Sequence, residues 1–289
     1  MLAWLHTMTF RHGDTARFND TAPGIAPTTR ALAEYAERLG IQPAEHGLDR
    51  SLELLESGYY KFQTPEYELI ADAGDIGPDY QPGHAHCDTL SFEMHINGQP
   101  FLVNTGISTY EKNEWRHYER STAAHNTVQI NDMEQSEIWD GHRVARRARA
   151  VVLAAGDGFL EATHTGYDRL GMRHIRRFEC AAEVRVLDHV PRNVIPMGFA
   201  RNVIPGYVRA HFHFHPDVAV SHQNDRLVCG DNTLTFSGFS KITLVSYEYA
   251  AGFNLRLPAT KAVVEFAEKL ETRVLFAQGA GSSFIPHRS

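Results

Sequence analysis

Three short stretches of this chain gather side chains that titrate, ligate metals or grip anions. They are Gly83-His84-Ala85-His86-Cys87-Asp88, Phe101-Leu102-Val103-Asn104-Thr105-Gly106 and Arg120-Ser121-Thr122-Ala123-Ala124-His125-Asn126-Thr127-Val128. Two histidines two residues apart beside an acid suit a metal centre, because imidazole nitrogen is the commonest ligand and a carboxylate can orient the far nitrogen. If the first run is extended, His84, His86 and Asp88 share one side and Cys87 points away, so Cys87 is not expected as a thiolate ligand. The alternative is that these are ordinary surface or core histidines in a chain that has 17 of them, since short motifs also arise by chance. Spacing alone leaves both readings open.

The elements that must hold these residues follow from the hydrophobic period. Residues 1–47 are expected to be a helical segment. Leu2, Leu5 and Met8, with Trp4, fit a short amphipathic helix, and Leu32, Tyr35, Ala36 and Leu39 fall at helical spacing. Thr28 or Thr29 offers the N-cap of that second helix and Gly40 its stop. Two helices cannot build a core alone, so the segment must pack on something else. From residue 48 to 289 the period is two. Leu90, Phe92, Met94 and Ile96 alternate with Thr89, Ser91, Glu93 and His95, the pattern of a half-buried strand, and Asn97-Gly98 marks a hairpin into Phe101–Asn104. Further short strands are expected between residues 57 and 229, then at Thr233–Phe236, Lys241–Tyr247, Ala262–Ala267 and Thr272–Gln278. So many strands with little helix between them predict a mainly β fold, stacked antiparallel sheets in a β-sandwich behind a short helical prefix. In an ideal hairpin at Asn97-Gly98, Asn104 lies across from Ser91 or Phe92. At about 3.3 Å per residue, His86 is then too far along to share an ion with it. A common site needs residues 83–88 to fold back, with Pro82-Gly83 as the expected bend.

Composition narrows the partners. The 289 residues are 43% apolar with a formal net charge of −7, so no global or tail-borne positive field draws in nucleic acid. An anionic ligand must be met by a local cluster of cations. Three scattered cysteines make no disulfide framework, and no apolar run approaches the roughly 18 residues that span a bilayer. The start, Met1-Leu2-Ala3-Trp4-Leu5-His6, lacks the basic opening and small-residue cleavage site of a secretory signal.

The three stretches, in this order and spacing, resemble the heparinase II/III-like polysaccharide lyases. That family carries a Gly-His-x-His-x-Asp run, a strand ending in Asp-x-Gly, and Arg-Ser-Thr-x-x-His-Asn-Thr-Val. The likeness is strong over residues 48–150 and weaker beyond, and the prefix looks like the last helices of the family's helical toroid. The resemblance implies zinc held by His86 and His125, with Asn104 standing where the third ligand, an Asp, is expected. A neutral amide leaves the ion's charge less compensated than a carboxylate does, so Asp88 or water would have to complete the shell. It also implies that His84 faces the substrate.

The activity so implied is β-elimination on uronate-containing polysaccharide. That chemistry needs a neutralised uronate carboxylate, a base for the C5 proton and an acid for the leaving O4. His84 is the candidate catalytic residue. Arg116, Tyr118, Arg120 and Asn126 are candidates to hold carboxylate or sulfate, against the alternative of ordinary structural pairing. In the family, a tyrosine and other catalytic groups come from a toroid upstream of the metal motif. The implied partners are therefore an acidic polysaccharide and a helical toroid, upstream or separate, and the chain alone is expected to be impaired in catalysis. A different class, a non-catalytic polysaccharide-binding or exopolysaccharide-assembly module, is the alternative. His211, His213 and His215 alternate with Phe212 and Phe214, which fits either a chelating face or, more simply, a polar sheet face. Arg143, Arg146, Arg147 and Arg149, and again Arg173, Arg176 and Arg177, suit either a polyanion or a solvated sheet edge. Asp72, Asp75 and Asp79 sit among Gly and Pro and are expected in a loop rather than a calcium site.

Overall fold

The computed structural model describes residues 1–41, 51–54, 56–192 and 206–277; the expected boundary between residues 47 and 48, and the end of the last strand at Gln278, lie outside them. Helices α1 (Leu2–Thr7) and α2 (Thr29–Arg38) are short. The Thr28 side chain caps α2 by accepting from the Ala31 N–H at 3.2 Å, and Gly40 takes a φ of 71° just beyond its end. The loop between them matters more than the helices do. Its Met8, Phe10, Ala16 and Phe18 bury themselves against Ile70.

That loop covers one face of a five-stranded antiparallel meander: β1 (Ser51–Leu54), β2 (Tyr59–Gln63), β3 (Tyr67–Asp72), β4 (Phe92–Ile96) and β5 (Gln99–Leu102). Asn97 and Gly98, at φ 50° and 74°, make the expected two-residue turn, with Ile96 paired to Gln99. The expectation of a half-buried β4 needs correction, because every residue of it is buried. The alternation is real, but its polar side is covered. The Glu93 carboxylate accepts from the Arg17 N–H at 2.8 Å, and the His95 ring stacks on Phe10 at 3.6 Å.

The opposite face of the meander packs on a ten-stranded antiparallel sheet. Phe92, Met94 and Leu102 meet Leu160, Phe178, Val186, Phe212 and Val264 in one core, which makes the domain a sandwich. Its strands are β6 (Val128–Ile130), β9 (Ala150–Gly156), β10 (Phe159–His164), β11 (His174–Cys180), β12 (Val184–His189), β13 (Val208–His213), β14 (Val220–Gln223), β15 (Arg226–Cys229), β16 (Asn232–Gly252) and β17 (Leu255–Leu275), while β7 (Glu137–Trp139) and β8 (Arg143–Ala145) pair separately. Where four short strands were expected near the end, β16 and β17 form one long hairpin. The pattern breaks because the register slips between Ser237 and Phe239, where Gly238 has φ 87° and a Cβ would sit 2.3 Å from the Lys269 carbonyl oxygen. On its other edge β17 pairs first with β13 and then with β12. A last helix, α3 (Glu114–Glu119), is capped by Asn113, whose side chain accepts from the Arg116 N–H at 2.9 Å.

Candidate metal centre and the carboxylate beside it

Residues 83–88 leave the line of β4, as a shared site requires. One turn closes where expected, with the Ala85 N–H donating to the Pro82 carbonyl at 3.0 Å. The reversal itself is at Asp88–Ser91, where the Ser91 N–H donates to the Asp88 carbonyl at 2.8 Å. Leu90, fully buried, adopts φ 62° there, a conformation that costs a non-glycine residue about 1–3 kcal/mol and persists only when its surroundings enforce it. The segment is tied to the third motif by the Cys87 N–H donating to the Arg120 carbonyl at 3.0 Å. That motif runs through a single 3-10 turn, Thr122–Ala124, and delivers His125 in extended conformation.

The outcome is convergence of groups far apart in the chain. The His86 and His125 ring centres are 5.4 Å apart. Among the described residues, His86, Asp88 and His125 form a buried group whose ligand atoms all lie within 4.8 Å of one another. Which nitrogens carry protons follows from their partners. The Ser91 hydroxyl accepts from the Asn126 N–H at 3.1 Å and donates to the Asn104 amide oxygen, also at 3.1 Å. That oxygen, an acceptor only, faces His125 Nδ1 at 3.0 Å, so Nδ1 bears the proton and Nε2 the lone pair. Among the described residues, His125 Nε2 has no hydrogen-bond partner, and neither does His86 Nδ1. Buried polar atoms without partners are rare and call for a reason. Two such lone pairs beside a carboxylate are the donor set of a small divalent cation. Burial keeps His125 neutral by pushing its pKa well down, and it pushes the Asp88 carboxyl up against the pull of His86.

Sequence reasoning missed the residue that organises the rest. Asp20, in the prefix loop, accepts from His86 Nε2 at 2.8 Å and from His84 Nδ1 at 2.7 Å, and it takes both Nη groups of Arg116. Burial alone would raise the Asp20 carboxyl, but hydrogen bonds and charge from His86 and Arg116 outweigh it and hold it far below the usual carboxylate range. An ionised carboxylate only accepts, so both histidines donate to it. Asp20 therefore turns the His86 Nδ1 lone pair toward Asp88 and His125 and puts the lone pair of His84 on Nε2. No periodic or spacing signal marks a lone acid in a loop 64 residues before His84.

The other expected residues fall into place as follows. Asn104 was expected as the third ligand. Its oxygen lies 3.0 Å from the outer nitrogen of His125, and Asp88 is the acid grouped with His86 and His125. Arg116, Arg120 and Asn126 are fully buried, so the substrate role expected of them has no exposed group behind it. Arg116 grips Asp20 and the Gly141 carbonyl, Arg120 donates to the Ala85 carbonyl at 3.2 Å, and Asn126 donates to the Phe92 and Val103 carbonyls. Tyr118 is half-buried, its hydroxyl accepting from Lys261 Nζ at 3.2 Å. His84 is the exposed member, its side chain 64% accessible, set edge-on to Tyr110 at 6.0 Å and to His142 at 6.1 Å. Cys87 is buried away from the group, its Sγ on the Ser136 carbonyl at 3.4 Å. The expected polar face of His211 and His213 is buried too, since residues 123 and 126 lie over it. Arg149 is neutralised by Asp75 and Asp79, and Arg177 by Glu161 and Glu179.

Comparison with known proteins agrees with this architecture. The description heparinase II/III-like, C-terminal, fits residues 47–278. No curated protein matches the sequence. Among solved structures, heparinase III aligns with a TM-score of 0.71 at 15% identity, over 98% of this chain and 48% of its own. A heparan sulfate lyase HepC mutant from Pedobacter heparinus aligns with a TM-score of 0.70 at 18% identity, over 96% of this chain and 46% of that one. The chain thus spans less than half the length of these heparinase III and HepC structures, and it belongs to the heparinase II/III-like C-terminal family.

Proposed function

We propose that this chain is the sandwich part of a polysaccharide lyase that cleaves uronate-containing polysaccharide by β-elimination, with a helical toroid supplying the remaining catalytic groups. The observation that supports the reading is the pair of lone pairs, His86 Nδ1 and His125 Nε2, that find no partner among the described residues, beside the buried Asp88 carboxylate. His86, His125 and Asp88 would hold the cation, and two imidazoles with a carboxylate favour zinc. When bound, zinc supplies the charge that fixes those three side chains as a unit. Asn104 and Asp20 act as the outer partners that set the ring tautomers.

His84 is the residue we assign to touch sugar, because its side chain is 64% accessible. Asp20 holds its Nδ1 proton, so Nε2 takes or shares a proton with the substrate, in the manner of an oriented general base or acid. Tyr110 and His142 add aromatic surface beside it. Arg116 and Arg120 act from below the surface by holding Asp20 and the 83–88 loop, and Asn126 by holding β4 and the Asn104 segment. Tyr118 remains a candidate for substrate contact through its exposed part.

The test is binding of heparan sulfate, alginate and a neutral glucan to the 289-residue chain by calorimetry, alongside the unsaturated-uronate absorbance of each mixture. Acidic chains should bind, His84→Ala should weaken them measurably, and no unsaturated product should form without a toroid. Equal binding of the neutral glucan would overturn the substrate class, and product from the chain alone would overturn the need for a toroid.

A further inference from the structure

The large sheet reaches the candidate centre from behind, through one guanidinium. Arg176 on β11 is fully buried, and it lies directly across from Asp188 on β12. Its Nε donates to Asp188 Oδ1 at 2.7 Å and its Nη2 to Oδ2 at 3.0 Å. Its Cζ lies 5.7 Å from the Phe92 ring centre and 5.8 Å from that of Phe178. His174 braces the same carboxylate at 2.7 Å. With two nitrogens locked, Nη1 points at two backbone carbonyls, Leu90 at 2.7 Å and Asn126 at 2.5 Å. Leu90 is the left-handed residue of the turn that presents Asp88, and Asn126 follows His125. The two segments that bring the ligands together are therefore spanned by one planar group.

A buried ion pair is a poor way to gain stability, since apolar residues of the same volume usually do as well or better. What they cannot do is donate to two carbonyls at once while keeping a fixed plane, and a lysine, with one compact ammonium, cannot do it either. We propose that Arg176, locked by Asp188, is a positioning residue that sets the separation of the Asp88 turn from His125 and so tunes the cation site. This rests on the reading of His86, Asp88 and His125 as a cation site.

Three variants and two readouts test it. Arg176→Lys keeps the charge but loses the fork, Asp188→Asn loosens the lock, and Val186→Ala on β12 opens a cavity in the same core without touching the carbonyls. Cobalt(II) is titrated into each protein in competition with a chromophoric chelator, and long-range proton–nitrogen spectra of the metal-free proteins report the His125 tautomer. The expected result is cobalt binding about 10–100-fold weaker in both polar variants, the range for outer partners of metal ligands. With it come an altered cobalt spectrum and a mixed His125 tautomer, whereas Val186→Ala lowers the melting temperature yet binds as the wild type. Folded Arg176→Lys or Asp188→Asn that binds cobalt within about twofold of wild type, below the usual outer-partner effect, overturns the proposal. If Arg176→Lys does not fold, Asp188→Asn decides. If the wild type takes up no cobalt, the cation reading fails, and the tautomer alone judges Arg176: a single Nδ1–H form in wild type and variants alike overturns it.

Discussion

His84 and His86 sit two residues apart in a loop, and His211, His213 and His215 repeat that spacing along β13 and just past its end. The loop pair is wired to acceptors. Asp20 holds the outer nitrogen of each, and the inner nitrogen of His86 is left toward Asp88 and His125. His211 and His213 adjoin a cation instead, while His215, past the strand end, has Asp217 3.4 Å from its Nδ1. Lys261 pairs with His213 across the sheet, and its charge, after burial, helps keep His211 and His213 unprotonated. The two ring nitrogens of His213 face Asn126 Oδ1 and the Ala123 carbonyl, and its one N–H when neutral can be donated to only one of them. Alternate histidines thus supply candidates, and the sign of the neighbouring charge selects among them: a carboxylate compensates a bound cation, an ammonium repels it.

The sharpest break of this comparison is to remove one ligand from each set. His86→Ala or His125→Ala should lower zinc affinity beyond the roughly 100-fold upper range for outer partners, whereas His211→Ala should leave it nearly unchanged. Competition with a chromophoric chelator measures both, and a similar loss from His211→Ala would merge the two sets. Next in size is Asp20→Asn. It strands the buried Arg116 guanidinium without its counter-charge, for which a cost of about 3–5 kcal/mol is expected in urea unfolding; a loss under about 1 kcal/mol would mean Asp20 is not the hub.

The strand set has its own test in Lys261. Its Nζ donates to the Tyr118 hydroxyl and the Ala123 carbonyl, and burial without a carboxylate brings its pKa from 10.5 down to about 8. Between those values the unfolded chain binds the proton that the folded chain has lost, so stability rises with pH across this window. Wild type should gain about 3 kcal/mol relative to Lys261→Met between pH 8 and 10.5, and a flat difference would contradict the placement of the amine. The smallest effect is Asn104→Asp. A carboxylate on the outer nitrogen of His125 should tighten zinc about tenfold. It should also destabilise the metal-free protein, because Asn104 is fully buried and a carboxylate there would be a buried charge without a cation to compensate it.

Local signals were the legible ones. Thr28 and Asn97-Gly98 each fix a backbone conformation within a few residues, and both appear where the sequence puts them. The pairing of His86 with His125 was readable only through family resemblance, because nothing local draws together residues whose rings stand 5.4 Å apart. What stayed hidden depends on distant partners. Period-two alternation in β4 and β13 tells which residues share a face, not what covers that face, so burial under the prefix loop and under residues 123–126 was invisible. Asp20 and Arg176 were invisible for the same reason, since each owes its role to backbone or side chains dozens of positions away. Arg116, Arg120 and Asn126 misled because a cation or amide in a motif looks alike whether it serves a ligand or the chain itself.

A crystal structure of the chain soaked in zinc, with anomalous data at the zinc edge, bears most directly on the central claim. A single strong peak bounded by His86 Nδ1, His125 Nε2 and the Asp88 carboxylate, with Asn104 still on the far nitrogen of His125, is the predicted result. Rings of residues 86 and 125 turned away from each other, or zinc seated on Asn104 with Asp88 uninvolved, would contradict it.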